Sequence, residues 1–248
     1  MITDIFSYPL KSFSPRPHSG FQAMSGQGVP GDREFAIVHG ESKFDFAQPD
    51  WQQKQNFLNL RKNPLLASLR TEYNAPYLIF RDSSGEALRL NTESDSPEED
   101  KKLDDFIRLR CSPARPGPYR LARLKGKSFS DQPSELVSIM NELSLEVLTG
   151  EVGIQLEKQR MRGNIWYRGS KPWEENEWVG KTITCGEARL KIVDIVGRCP
   201  AIDVNPSTGI KDIPLLKILR QRTGQIDFGV FAEITNPGKI QSGQQIKL

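Results

Sequence analysis

The segment with the most distinctive chemistry is Gly197-Arg198-Cys199-Pro200, followed by Asp203-Val204-Asn205-Pro206-Ser207-Thr208-Gly209. An apolar, strand-like run ends at Val196, and Pro200 cannot continue a ladder, so Cys199 falls where a sheet stops. Arg198 beside it favours the thiolate over the thiol. A thiolate so placed suits a soft or high-valent metal, or redox work. The other reading of Cys199 is a small buried hydrophobe, because free cysteines are often buried.

Two further groups of residues carry chemistry. The first is cationic. Lys11-Ser12 follows Tyr8-Pro9, Arg33 follows Gly31-Asp32, and Arg61 and Arg162 each stand near a strand or turn. Converged, they make an anion clamp, with guanidinium forks suited to phosphate. Taken singly, each reads as a solvated surface charge. The second is small and polar: Ser130-Asp131 before Pro133, then Ser138 and Asn141, then Arg162-Gly163-Asn164. Such groups hydrogen-bond the edge of a heterocycle. They also cap helices and build turns, which is the alternative here.

The elements that must position these residues are mostly strands. Ile2 to Leu10 and Arg33 to Val38 are short apolar runs, with Gly26, Gly28, Pro30 and Gly31 breaking the chain between them. Tyr77–Phe80 and Ala87–Leu90 flank Ser83-Ser84-Gly85 as a hairpin. Ser96-Pro97-Glu98-Glu99 offers an N-cap, a proline at the first helical position and an acid three residues after the cap. Leu103, Phe106, Ile107 and Arg110 follow at helical spacing. Residues 111–118 hold three prolines and mark a domain boundary, giving units 1–115 and 116–248. Val137 to Leu148 passes from a strand into a helix. Lys181 to Cys185 and Ala188 to Val196 are strands, Ile213 to Arg222 is a short helix, and Gln244 to Leu248 closes a sheet. The expected fold class is mainly β with peripheral helices, in two β-rich halves.

Composition narrows the function. With 248 residues, 37% hydrophobic and 26% charged, the chain can bury a core without staples. A net charge of +3, with no basic block interleaved with aromatics, argues against nucleic acid as a partner. No apolar run reaches the length of a membrane span. The start of the chain lacks the features of a signal peptide, so a cytoplasmic protein with no membrane partner is expected. Three scattered cysteines build no disulfide framework. The two histidines, His18 and His39, leave the C-terminal half without an imidazole base and exclude zinc sites of Cys/His spacing.

Taken together, these segments resemble the MOSC family, and within it the amidoxime-reducing branch (the mitochondrial amidoxime-reducing component and its bacterial counterparts). Tyr8-Pro9-Leu10-Lys11-Ser12 and Gly31-Asp32-Arg33-Glu34-Phe35 resemble the family's N-terminal β-rich domain. Phe129-Ser130-Asp131, Leu136-Val137-Ser138, Arg160-Met161-Arg162-Gly163-Asn164, Arg198-Cys199, Asn205–Gly209, Phe228–Ala232 and Asn236–Ile240 resemble the MOSC domain. Each motif alone is weak, whereas their order and spacing are specific.

The resemblance implies a MOSC β-barrel after the N-terminal domain, and the pterin form of molybdenum cofactor. It places the metal-ligating cysteine on Cys199. It places cofactor contacts on Lys11, Ser12, Arg33, Ser130, Asp131, Arg162 and Asn164, and further ones on Ser138, Arg61 and Arg198. It implies reduction of small N-hydroxylated substrates, such as hydroxylamines and amidoximes, to amines. Electrons would come from a separate ferredoxin-like, flavin or haem protein, since the chain has no dinucleotide fingerprint and too few cysteines for an iron–sulfur cluster. Asp131 is a candidate proton donor. Sulfur transfer through a Cys199 persulfide and cofactor carriage are the alternatives. The sequence departs from the family at Ile202, where relatives often have threonine.

Overall fold

The computed structural model describes residues 1–82, 84–85, 87–94 and 96–248. Its strands are β1 (Ile2–Ser7), β2 (Arg16–His18), β3 (Gly20–Ala23), β4 (Phe35–Val38), β5 (Arg70–Asn74), β6 (Tyr77–Arg81), β7 (Ala87–Asn91), β8 (Arg120–Arg123), β9 (Val137–Asn141), β10 (Ile165–Tyr167), β11 (Thr182–Cys185), β12 (Ala188–Gly197), β13 (Asp227–Asn236), β14 (Gly238–Gln241) and β15 (Ile246–Lys247). Three α-helices, α1 (Pro97–Cys111), α2 (Glu142–Val152) and α3 (Leu215–Thr223), lie among them. The fold is mainly β with few helices, as expected.

Eight strands form one curled sheet in the order β15-β11-β12-β13-β9-β10-β1-β2. Its concave side is filled by Ile5, Val137, Ile139, Ile165, Leu190, Ile192, Val230 and Ile234, among others. Each such side chain, fully buried, contributes roughly 1.5–3 kcal/mol. Strands β1 and β2 belong to this sheet although β4 to β8, which follow them in the N-terminal half, do not: β1 pairs antiparallel with β10, Ile5 facing Ile165, and with β2 on its other side. The N-terminal half has its own core of Leu10, Phe35, Leu66, Phe80, Leu103 and Ile107, between the β5-β6-β7 meander and α1.

Several local expectations meet the structure closely. Ser96 caps α1, its hydroxyl accepting from Glu98 N at 3.2 Å. Glu99 does not return to the cap. It accepts from Asn91 N at 2.9 Å and so ties α1 to β7. The β6–β7 pair is antiparallel, Tyr77 facing Asn91. Ser83 of the expected turn lies outside the described residues. The Ile2–Leu10 run is strand only to Ser7. Leu10 instead makes a single bridge to Phe35, and this bend carries the chain from the curled sheet to the N-terminal core.

Among the described residues, no helix is long and apolar enough to cross a membrane.

Candidate functional site

The curled sheet brings distant segments to one place. β9 and β10 run parallel with Ile139 beside Ile165, so Ser138 and Asn164 are neighbours. Ser138 Oγ donates to Asn164 Oδ1 at 2.8 Å, and Asn164 N donates to Ser138 Oγ at 3.0 Å. Asn164 Nδ2 then donates to Phe6 O of β1 at 3.1 Å. Beyond β1, Lys11 N donates to Phe35 O, and Phe129 N to Arg33 O, both at 2.8 Å. Strand β12 alternates in and out to Ile192, where a bulge opposite β13 shifts the register. A bulge bends and twists its strand, and this one delivers Val196 to Cys199 onto the wall of the same cavity.

That cavity has a volume of about 490 Å³, in the range of small-molecule and cofactor sites. Lys11, Ser12, Arg33, Arg61, Ser130, Asp131, Ser138, Arg162, Asn164, Arg198 and Cys199 all line it. Every residue that the resemblance placed at the site is therefore in one place. Neither histidine is: His18 Nε2 meets Ser7 Oγ, and His39 Nε2 meets Gln55 O, both at 2.8 Å. Asn141 also stands apart. It caps α2 through Leu143 N and contacts the buried Glu175.

Cys199 differs from the other two cysteines. Cys111 and Cys185 are buried, and burial pushes both thiols up to about 12. Cys199 is partly exposed, begins a 3-10 turn (Pro200–Asp203) and lines the cavity. The alternative reading of a buried hydrophobe does not hold for it. Ile202, in the turn, is buried in the same apolar cluster as Met161 and Leu215, so a hydroxyl there would enter apolar surroundings.

The cations divide by what they already hold. Lys11 Nζ donates to Phe129 O and Asp131 Oδ1, each at 2.7 Å. Burial lowers its proton affinity, against the pull of Asp131. Asp131 also receives Lys54, a residue the sequence reading missed. Burial would raise the Asp131 carboxyl, but the two lysines outweigh it and hold the group well below the usual carboxylate range. Asp131 is thus an ionised acceptor. Ser130 Oγ donates to Gln132 O at 2.6 Å, and Ser12 Oγ to Leu58 O at 3.3 Å.

Arg198 spends its guanidinium on the protein, donating to Phe228 O, to Met161 O at 2.7 Å and to Met140 Sδ at 2.9 Å. It is a charged strut beneath Cys199. Burial pushes it down to about 10, opposed by Cys199. Arg33 donates to Asp32 and, through Nη2, to Arg162 O at 2.9 Å. Arg162 Nη1 donates to Phe13 O at 2.9 Å, but its buried Nη2 has no partner among the described residues. Burial pushes Arg162 down to about 10. Arg61 is exposed and makes no ion pair among the described residues.

Ser12, Arg33 and Arg162 share a further trait. Each has positive φ (76°, 51° and 51°), which non-glycine residues rarely adopt and which concentrates at functional sites. No sequence signal marked it, because none of the three is glycine or asparagine.

Among the described residues, no three His, Cys, Asp or Glu side chains gather to hold a metal. A metal on Cys199 must therefore bring most of its own ligands. The donor set fits a metal carried on an anionic organic ligand: one cysteine sulfur, several cations and an unspent guanidinium N–H.

The chain matches the MOSC domain over residues 126–247 and the MOSC N-terminal beta barrel domain over residues 1–111. The chain belongs to the MOSC family. It is similar to proteins named molybdenum cofactor sulfurase from Caenorhabditis elegans (26% identical, over 99% of this chain and 35% of that one) and Caenorhabditis briggsae (25%, over 99% and 36%). It therefore spans about a third of the length of these relatives. The YUAD protein from Bacillus subtilis is 12% identical with a TM-score of 0.48, covering 99% of this chain and 94% of that one, a likeness that carries no argument.

Proposed function

We propose that this chain binds the molybdenum cofactor in the cavity, with Cys199 Sγ as the protein's ligand to the metal, and reduces small N-hydroxylated compounds to amines. The observation that carries the cofactor reading is the convergence of a partly exposed Cys199 sulfur and an unspent, buried Arg162 N–H on one cavity. When bound, the cofactor supplies two-electron removal of oxygen from an N–O bond. The protein supplies binding, orientation and electrostatics. Arg33, Arg162 and Arg61 hold the anionic end, while Ser130, Ser138 and Asn164 line the wall that faces the heterocycle. Arg198 keeps a positive charge beside Cys199. Asp131, ionised and gripped by two lysines, does not deliver the proton. A separate electron-transfer protein supplies the electrons.

The names of the worm relatives support a second reading, in which Cys199 carries a persulfide for sulfur transfer. One experiment separates the two. Protein made in a host that synthesises the cofactor is assayed for molybdenum and for loss of a hydroxylamine with reduced viologen. Molybdenum near one equivalent with steady turnover is expected, and no turnover with NADH or NADPH alone. Molybdenum without turnover across several N-hydroxylated substrates sinks the reductase reading. A persulfide on Cys199, formed with a cysteine desulfurase and its substrate, would then favour sulfur transfer.

A further inference from the structure

Tyr8 has no role in the reading above, yet the cation clamp is built on it. Its side chain is wholly buried (0% exposed), and its hydroxyl has no hydrogen-bond partner among the described residues. Two guanidiniums lie over its ring, Arg162 Cζ at 4.3 Å from the centroid and Arg33 Cζ at 5.0 Å. Both are within the range of cation–π attraction. The backbone of the same residue locks the arrangement. Tyr8 N donates to Asp32 Oδ1 at 2.7 Å, Asp32 also receives the Arg33 guanidinium, and Arg33 N donates to Tyr8 O at 2.7 Å.

A ring face does what a carboxylate cannot. It attracts a guanidinium without cancelling its charge. Arg33 and Arg162 bring two positive charges and Asp32 one negative, so the group retains a positive charge for a ligand. The two like charges would otherwise repel, and the aromatic ring that both approach offsets part of that cost.

We propose that Tyr8 is a positioning residue for anion binding: its ring aligns Arg33 and Arg162, and affinity for the cofactor's anionic end depends on an aromatic face at position 8. The inference rests on the cofactor reading for the identity of the anion, but not for the clamp itself. It is the face that acts. The phenol is held neutral, since burial pushes it up to about 12.

The test uses the full chain, freed of any cofactor, titrated with inorganic phosphate by calorimetry, with the thermal midpoint measured beside it. Tyr8→Phe keeps the face and should bind phosphate as the parent does. Tyr8→Leu and Tyr8→Met remove it and should weaken binding on the order of tenfold, the loss of desolvated cation–π contact. Met preserves length and bulk where Leu fails to fold. Weakening in the Phe variant equal to that in Leu or Met overturns the proposal, because the hydroxyl would then be the active part. Parent affinity in the Leu or Met variant overturns it as well. A purely structural role would lower the thermal midpoint of Leu and Met while leaving the affinity of the folded fraction intact. Absence of phosphate binding by the parent chain overturns the clamp, whatever the metal analysis shows. A parent that binds phosphate yet purifies without molybdenum leaves Tyr8's role standing and removes the cofactor reading.

Discussion

Cys111, Cys185 and Cys199 are one side chain in two kinds of surroundings. The first two are sealed in apolar cores, at 3% and 0% exposure. Only Cys199 meets the cavity. Cys199→Ser should therefore lose the metal's thiolate and change its electronic spectrum, with severe loss of molybdenum content. Cys185→Ser should do neither, and should instead cost about 1–3 kcal/mol of stability by burying a hydroxyl. Spectra and denaturant titrations of the two variants check both statements. Lys11 gives a pH prediction. Burial lowers its pKa from the ordinary 10.5, with Arg33 and Arg162 pushing the same way and Asp131 resisting. The cofactor-free protein should thus lose affinity for phosphate as pH rises through that lowered value, short of 10.5. In the same window the unfolded chain holds more protons than the folded one, so stability rises while affinity falls. Lys11→Arg should move the loss of affinity to higher pH, as followed by calorimetry across neutral to alkaline buffers. A Lys11→Arg profile that coincides with the parent's would contradict this assignment.

At the scale of elements, the site depends on close passage between β9 and the turn before β10. A Cβ on Gly163 would lie 2.2 Å from Met140 Cγ, and Met140 Sδ in turn receives Arg198. Gly163→Ala should therefore push Met140 and Arg198, and shift Arg162 and Asn164 on either side. The expected cost is about 1–3 kcal/mol, typical of overpacking, together with reduced cofactor occupancy. A thermal melt and molybdenum analysis of the variant test this. Full occupancy at parent stability would mean that the turn yields more freely than its packing implies. The Ser138–Asn164 pair explains part of that tightness: four hydrogen bonds join the two residues, and two more tie Asn164 to Phe6 of β1.

Across the whole molecule, neither half of the chain contains the site. Cys199, Arg162 and Asn164 come from the C-terminal half, while Lys11, Ser12, Arg33 and Arg61 come from the N-terminal half. The first strand supplies Ile2 and Ile5 to the core of the curled sheet. A chain cut to residues 116–248 should lose an edge of that sheet, expose Ile165 and Tyr167, and retain no cofactor. Limited proteolysis, near-ultraviolet circular dichroism and metal analysis would reveal a folded, molybdenum-loaded fragment if this reasoning is wrong.

What the sequence determined by itself is the chemistry of the residues and many of the elements, though not the short strands β2, β3, β5 and β8. Alternation in β12, the proline and cap that open α1, and the proline after Cys199 act over a few residues, and they are read locally. The order of motifs was enough to nominate eleven residues, all of which line one cavity. Tertiary structure alone decided what each of them can still do. Arg198 and Arg162 are the same residue type beside a turn, yet one spends its N–H groups on carbonyls and a sulfur, and the other keeps a buried N–H free. Lys54 carried no signal because its partner Asp131 is more than seventy residues away, and the Tyr8–Ser12 motif gave no sign that the Tyr8 ring meets Arg162, which is farther still. The physical reason is the same throughout. A side chain's charge and donors are fixed by its type, but whether they are already spent depends on the atoms that folding brings within about 3 Å.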